Sequence, residues 1–319
     1  MPYLTFNKEE KNKAIAVLKK GDGTSKVVYI SDAEPTEKNN IELEYSDIDK
    51  RIKGNKTKEK MKVFEMIQKG LSKGVELEHL LTDDDNVKRI YKDILDESGR
   101  IIKVGHDCHF EPLPVVPDDK GSGRECIYLT GCSGSGKSYW AKMYCENYNK
   151  LFKGKRPIYL ISQLEEDDTL DNSACTINRI KLDTLCDDPI DLNTGEMTDC
   201  LIIFDDFDTI ENTPTKKYHD AIWKLLNDCL IMGRHYNISL LVISHYNTNG
   251  KKGRLILTEC TKYVIYPHGS SAYALKYLLG HHVGIDTKEI ADLGKLGRYV
   301  MVSKTYPKYL ISQHVIKLI

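Results

Sequence analysis

Eight residues, Gly131-Cys132-Ser133-Gly134-Ser135-Gly136-Lys137-Ser138, carry the spelling Gly-x4-Gly-Lys-Ser of a phosphate-binding loop, the Walker A pattern. Small side chains at Gly131, Ser133, Gly134, Ser135 and Gly136 let backbone N–H groups converge on the β- and γ-phosphates of a nucleotide such as ATP. Lys137 adds a point charge, and the Ser138 hydroxyl suits Mg2+. The loop follows the apolar run 126–130 and precedes a helical stripe of Trp140, Ala141, Tyr144, Cys145 and Tyr148. That strand–loop–helix context separates it from an incidental glycine-rich turn.

A second stretch, Leu-Ile-Ile-Phe-Asp-Asp at 201–206, reads as a buried strand delivering Asp205 to the carboxyl edge of a sheet, where it can hold Mg2+ through water: a Walker B segment. Asp206 then stands where a carboxylate would orient or deprotonate an attacking water. Two adjacent acids repel, so a bound metal makes the pair sensible; the competing reading is that they cap the following helix. A third apolar strand, 239–243, ends in Ser244-His245, either of which could sense the terminal phosphate or fix the water if that strand lies between the other two. Arg234 follows a helix. It can point at a neighbouring subunit's nucleotide or act as a cation at the helix C-terminus. Lys251, Lys252 and Arg254 sit in a basic, glycine-containing loop suited to DNA phosphates, with Arg254 a second candidate for action in trans. The plain alternative is a solvated loop.

These groups need a scaffold. Apolar runs at 126–130, 158–162, 200–204 and 239–244, and a fifth at 262–266, alternate with helical stripes, the second being Ile222, Leu225, Leu226, Cys229 and Leu230. Near-continuous apolar strands separated by helices predict an α/β fold with a mainly parallel sheet. A terminal hairpin is expected from 299–303 and 309–312. Upstream, 13–18 and 26–30 flank Gly21-Asp22-Gly23 as a hairpin. Two amphipathic helices follow, one over 58–69 and one after Asp83-Asp84-Asp85, whose acids suit a helix N-terminus. The stretch 110–123, with three of the ten prolines, reads as a linker or extended approach segment, dividing the chain into 1–109, a small α+β accessory domain, and 110–319. His-Asp-Cys-His at 106–109 has metal-binding residue types, but its cramped spacing argues against a zinc site.

Lys and Arg total 46 against 47 Asp and Glu, so no global basic field holds nucleic acid and any DNA contact must be local. Nine cysteines without paired spacing, behind a start lacking an apolar leader, suggest a reducing, cytosol-like compartment. No stretch approaches a membrane span.

In order and spacing, GCSGSGKS, LISQ, LIIFDD, MGRHYNISLLVISHYN and RLILTECTKYVIYP resemble the genome-packaging ATPases of double-stranded DNA viruses and virophages, the poxvirus-type branch of the FtsK/HerA P-loop superfamily. The resemblance covers about 110–319. It implies a RecA-like core with the sensor strand between the two Walker strands, a pentameric or hexameric ring of identical subunits, and ATP-driven movement of double-stranded DNA into a preformed capsid, with capsid proteins as partners. The implied setting is the host cytoplasm, where viral factories form, and the virion. By the family pattern Lys137 and Ser138 bind nucleotide and Mg2+, Asp205 holds the metal, Asp206 is the catalytic acid and Arg234 acts in trans. Relatives usually carry Gln at the sensor position, where this chain has Ser244-His245. A P-loop kinase acting on a small acceptor is the competing function, but the acidic, arginine-poor segment 165–199 lacks the arginine-clustered lid expected of one.

Overall fold

The computed structural model describes residues 2–9, 11–32, 51–52, 57–72, 80, 82–97, 99–115, 124–207, 216–247 and 253–319. The strands in chain order are β1 (Tyr3–Thr5), β2 (Lys13–Lys20), β3 (Ser25–Ser31), β4 (Ile101–Lys103), β5 (Cys108–Pro112), β6 (Cys126–Thr130), β7 (Ile158–Ser162), β8 (Asn178–Arg179), β9 (Leu201–Asp205), β10 (Ser239–Ser244), β11 (Lys262–Ile265), β12 (Val300–Ser303), β13 (Tyr309–Ser312) and β14 (Val315–Leu318). Four long helices join them: α1 (Thr57–Ser72), α2 (Asp85–Glu97), α3 (Lys137–Leu151) and α4 (Lys216–Met232).

The site is set by a ten-stranded sheet of order β4-β14-β13-β12-β11-β6-β10-β9-β7-β8. The six strands from β11 to β8 are parallel, and the other four are antiparallel. β6, β9, β10 and β11 are buried at every residue. Covering both faces is what makes their interiors apolar, with polar residues only at the ends. Alternation survives in the packing: Ile202, Phe204, Leu240 and Val242 join one core, while Leu201, Ile203, Leu241 and Ile243 join the other. α3 buries Trp140, Ala141, Tyr144, Cys145 and Tyr148 in the second core, and α4 buries Ile222, Leu225, Leu226, Cys229 and Leu230 in the first. Each large side chain in these stripes contributes about 1.5–3 kcal/mol by leaving water.

Register then aligns the strand ends. Thr130 lies opposite Ser244, and Ser162 opposite Asp205. The residues following β6, β9 and β10 therefore emerge along one edge, with β10 between the two Walker strands, as the resemblance implies.

A smaller antiparallel sheet, β1-β3-β2-β5, holds the expected hairpin; its turn contains Gly23 at φ 81° and an Asp22 carboxylate that accepts from Thr24 N at 2.8 Å. α1 and α2 meet around Ile67, Ile90 and Tyr91. Asp84 Oδ1 accepts from Asn86 N at 2.8 Å, so the acidic triplet starts a helix. The expected division between 109 and 110 falls inside β5, and β4, from the upstream part, is an edge strand of the large sheet. The C-terminal hairpin is present as β12 and β13, and β14 and β4 continue it. Among the described residues no helix is long and apolar enough to cross a membrane, and no cluster of His, Cys, Asp and Glu has metal-site form.

Candidate functional site

The loop 131–136 hands the chain from β6 to α3. Gly136, the residue before the helix, sits at φ 108°, a conformation that glycine adopts without a Cβ penalty, and no side chain caps the helix start. Uncapped N–H groups at a helix N-terminus are an anion site. Side chains hold the loop's carbonyls. Lys137 Nζ donates to Gly131 O at 2.8 Å and Cys132 O at 3.2 Å, Arg298 to Ser135 O at 2.7 Å and Gly134 O at 3.2 Å, and the Tyr266 hydroxyl to Gly136 O at 2.8 Å. At Gly131 a Cβ would lie 2.9 Å from both Ser135 Oγ and Tyr266 Cδ2, so a larger residue cannot take the close approach made there. Ser135 Oγ is buried without a hydrogen-bond partner among the described residues, a polar atom that a phosphate oxygen would satisfy. Ser133 is exposed beside it, and Ser138 is half-buried at the first turn of α3.

Asp205 ends β9 and is 6% exposed. Burial, then the neighbouring carboxylates of Asp206 and Asp167, push its carboxyl up to about 7, with Lys137 and Arg179 opposing. A buried carboxylate in that position holds its charge more easily beside a divalent cation, so the donor set of Asp205 and the Ser138 hydroxyl fits Mg2+. Asp206 has left-handed backbone at φ 51°, uncommon for a non-glycine residue and tolerated best by Asp and Asn. This conformation turns its side chain toward His245, whose Nε2 lies 2.7 Å from Asp206 Oδ1. His245 Nδ1 in turn lies 3.4 Å from Lys137 Nζ. Lysine can only donate, so both contacts are satisfied when Nδ1 accepts and Nε2–H donates to the carboxylate. A single imidazole thus joins the loop cation to the acid after β9.

Ser244 is fully buried and faces its own turn, its hydroxyl donating to Tyr246 O at 3.0 Å and accepting from Tyr246 N at 3.0 Å. That turn carries His245 toward Asp206. The helix-capping alternative for the two acids falls on residues 208–215, which lie outside the described residues; α4 is described from Lys216.

The structure brings Lys137, Ser138, Asp205, Asp206 and His245 to one edge. Arg234 is elsewhere: it precedes β10, which runs parallel to β6, and so lies at the amino edge, away from its own chain's loop. It is exposed, with no side-chain partner among the described residues. The last carbonyls of α4 are bonded by Arg124, which donates to Cys229 O at 2.8 Å and Leu230 O at 3.3 Å. Arg254 is exposed at the start of the short helix Arg254–Glu259. Lys251 and Lys252 lie outside the described residues.

Sequence reasoning missed Tyr266, Arg298 and Asp167. The first two reach the loop from 130 and 163 residues away along the chain, and no local spacing announces such contacts. Asp167 was legible only as part of the acidic run 165–168.

No family profile matches the chain. An uncharacterized protein, V3, of the Sputnik virophage is 34% identical over 203 residues, which are 62% of this chain and 79% of that protein. Among solved structures, the genome-packaging NTPase of Sulfolobus turreted icosahedral virus 2 in complex with AMPPCP superposes with TM-score 0.39 at 12% identity, over 61% of this chain and 98% of that one. The pCW3 conjugation coupling protein TcpA, with ATPγS, gives TM-score 0.44 at 13% identity, over 71% of this chain and 80% of its own. Sharing a third of aligned residues over four-fifths of the virophage protein, the chain belongs to the same family as V3.

Proposed function

We propose that the protein hydrolyses ATP at this edge and spends the energy on moving double-stranded DNA, packaging a viral genome into a capsid. The observation that carries the proposal is the Lys137–His245–Asp206 chain beside the buried Asp205, in which the phosphate loop and the acid pair are joined by the residue ending the strand between them. Mg2+, held by Ser138 and Asp205, would neutralise charge on the terminal phosphates. Lys137 and the N–H groups at the loop and helix start that the backbone leaves unbonded bind the β- and γ-phosphates. Asp206 accepts the proton of the attacking water, and His245 holds that carboxylate in place and relays its state to Lys137.

Arg234, remote from its own site and exposed, serves the nucleotide of the next subunit in a ring, where it stabilises charge on the transferred group. Lys251, Lys252 and Arg254 contact DNA phosphates inside that ring. Such a machine works in the host cytoplasm and at the capsid, with capsid proteins as partners.

The deciding experiment is ATPase rate against protein concentration, with and without duplex DNA. The expected result is a rate per subunit that rises with concentration and again with DNA, because the site is completed across an interface. A rate independent of both, or dependent on a small acceptor, would replace the motor with a phosphotransferase.

A further inference from the structure

We infer that Arg298 and Tyr266 form an outer brace that sets the phosphate loop in its anion-receiving shape, a positioning role that rests on the proposed nucleotide-binding reading. A peptide unit is planar, so fixing its carbonyl on one side directs the neighbouring N–H groups to the other. Arg298 Nε and Nη2 hold two successive carbonyls, those of Ser135 and Gly134, and the Tyr266 hydroxyl holds that of Gly136. The carbonyls of Ser135 and Gly134 are thereby fixed on the Arg298 side, while that of Gly136, which also accepts from Trp140 N at 3.0 Å, is shared between Tyr266 and the first turn of α3.

The residue types suit the task. Arginine has donors only, in a rigid planar fork that spans two acceptors, and its charge adds positive potential one peptide from the bound phosphates. Tyr266 is 3% exposed and packed by Tyr299 at a ring separation of 6.5 Å, and burial pushes its phenol well up, so it stays a donor at any working pH. Its ring also fills the space against Gly131. Arg298 is aimed by what surrounds it: Gly297, at φ 141°, makes a turn that other residues resist, and Arg298 N donates to Gln313 Oε1 at 3.3 Å. Gln313 belongs to the turn between β13 and β14. The brace is therefore rooted in the antiparallel strands at the C-terminal end of the sheet, and movement there would reach the nucleotide through the loop.

The test uses the full chain with Arg298→Ala, Arg298→Lys and Tyr266→Phe. Affinities for Mg2+-ATP and for pyrophosphate are measured by calorimetry, with steady-state kinetics and ligand-free melting alongside. The expectation is that Arg298→Ala weakens both ligands about tenfold, the scale of a lost charge-assisted hydrogen bond. The loss should fall on KM more than on kcat, and Arg298→Lys, which reaches one carbonyl at a time, should restore part of it. Tyr266→Phe should give a smaller loss in the same direction. Wild-type affinity in Arg298→Ala overturns the brace. So does a loss of affinity matched by a lower ligand-free melting temperature, which would make Arg298 a fold-stabilising residue. A wild-type chain that binds neither probe refutes the nucleotide reading itself, before any variant is compared.

Discussion

The two edges of the parallel sheet are built from the same strands and treat charge in opposite ways. At the amino edge, Arg124 closes the end of α4, and Arg156 meets Asp199 at 2.9 Å while Asn237 donates to the same carboxylate at 2.6 Å. At the carboxyl edge, the Asp205 carboxyl is held up near 7 and a helix N-terminus is left uncapped. The difference follows from strand polarity, since parallel strands gather all their exits on one side. Stability is concentrated at one edge and unspent binding capacity at the other.

Arg234 is the exception at the stable edge, and its removal should have the largest effect. Arg234→Ala is expected to lower turnover about 10³-fold or more while assembly persists, as sedimentation and steady-state rates will show. Full activity would make it an idle surface cation and leave the contrast between edges intact. Asp206→Asn is next: asparagine tolerates the same backbone, so ATP binding should persist while single-turnover hydrolysis falls about 10²–10⁴-fold. Normal turnover would assign the water to another residue. Lys137→Ala should weaken ATP about 100-fold by calorimetry, through loss of a buried, charged donor to the phosphates.

Arg124→Ala sharpens the comparison from the other side. It should cost about 2 kcal/mol in urea unfolding, the value of hydrogen bonds from a charged donor to helix-end carbonyls, with ATP affinity unchanged. The smallest effect is on pH. Because the folded-state carboxyl of Asp205 titrates near 7, above its unfolded value, the ligand-free protein has that group's full contribution below about pH 4 and loses it as pH rises through 7. Melting temperature without Mg2+ should fall by a few degrees between pH 6 and pH 8, and Asp205→Asn should flatten the slope.

What was legible in the sequence depended on whether one segment contained the whole signal. The stripes on α3 and α4 named every apolar residue those helices bury, because 3.6-residue periodicity is local. The central strands were legible because two-sided burial leaves polar residues only at their ends. The loop and the acid pair were legible as motifs, and His245 as a polar residue leaving an apolar strand. The brace was not, since Arg298 and Tyr266 owe their role to contacts across more than a hundred residues. Nor was the pairing of β4 with β14: three residues, Ile101–Lys103, carry no pattern until a partner strand is placed beside them.

The N-terminal sheet is not a detachable appendage. Leu4, Ile15, Val28, Ile30 and Phe110 lie in the same apolar cluster as Ile127, Trp140 and Tyr144, and β4 closes the outer margin of β14. Trimming the chain to the half that carries the phosphate loop would strip oily cover from beneath α3 and leave a naked strand margin inviting aggregation. Whatever the N-terminal sheet contacts outside the molecule, it is wedded to the half that carries the phosphate loop by its own packing.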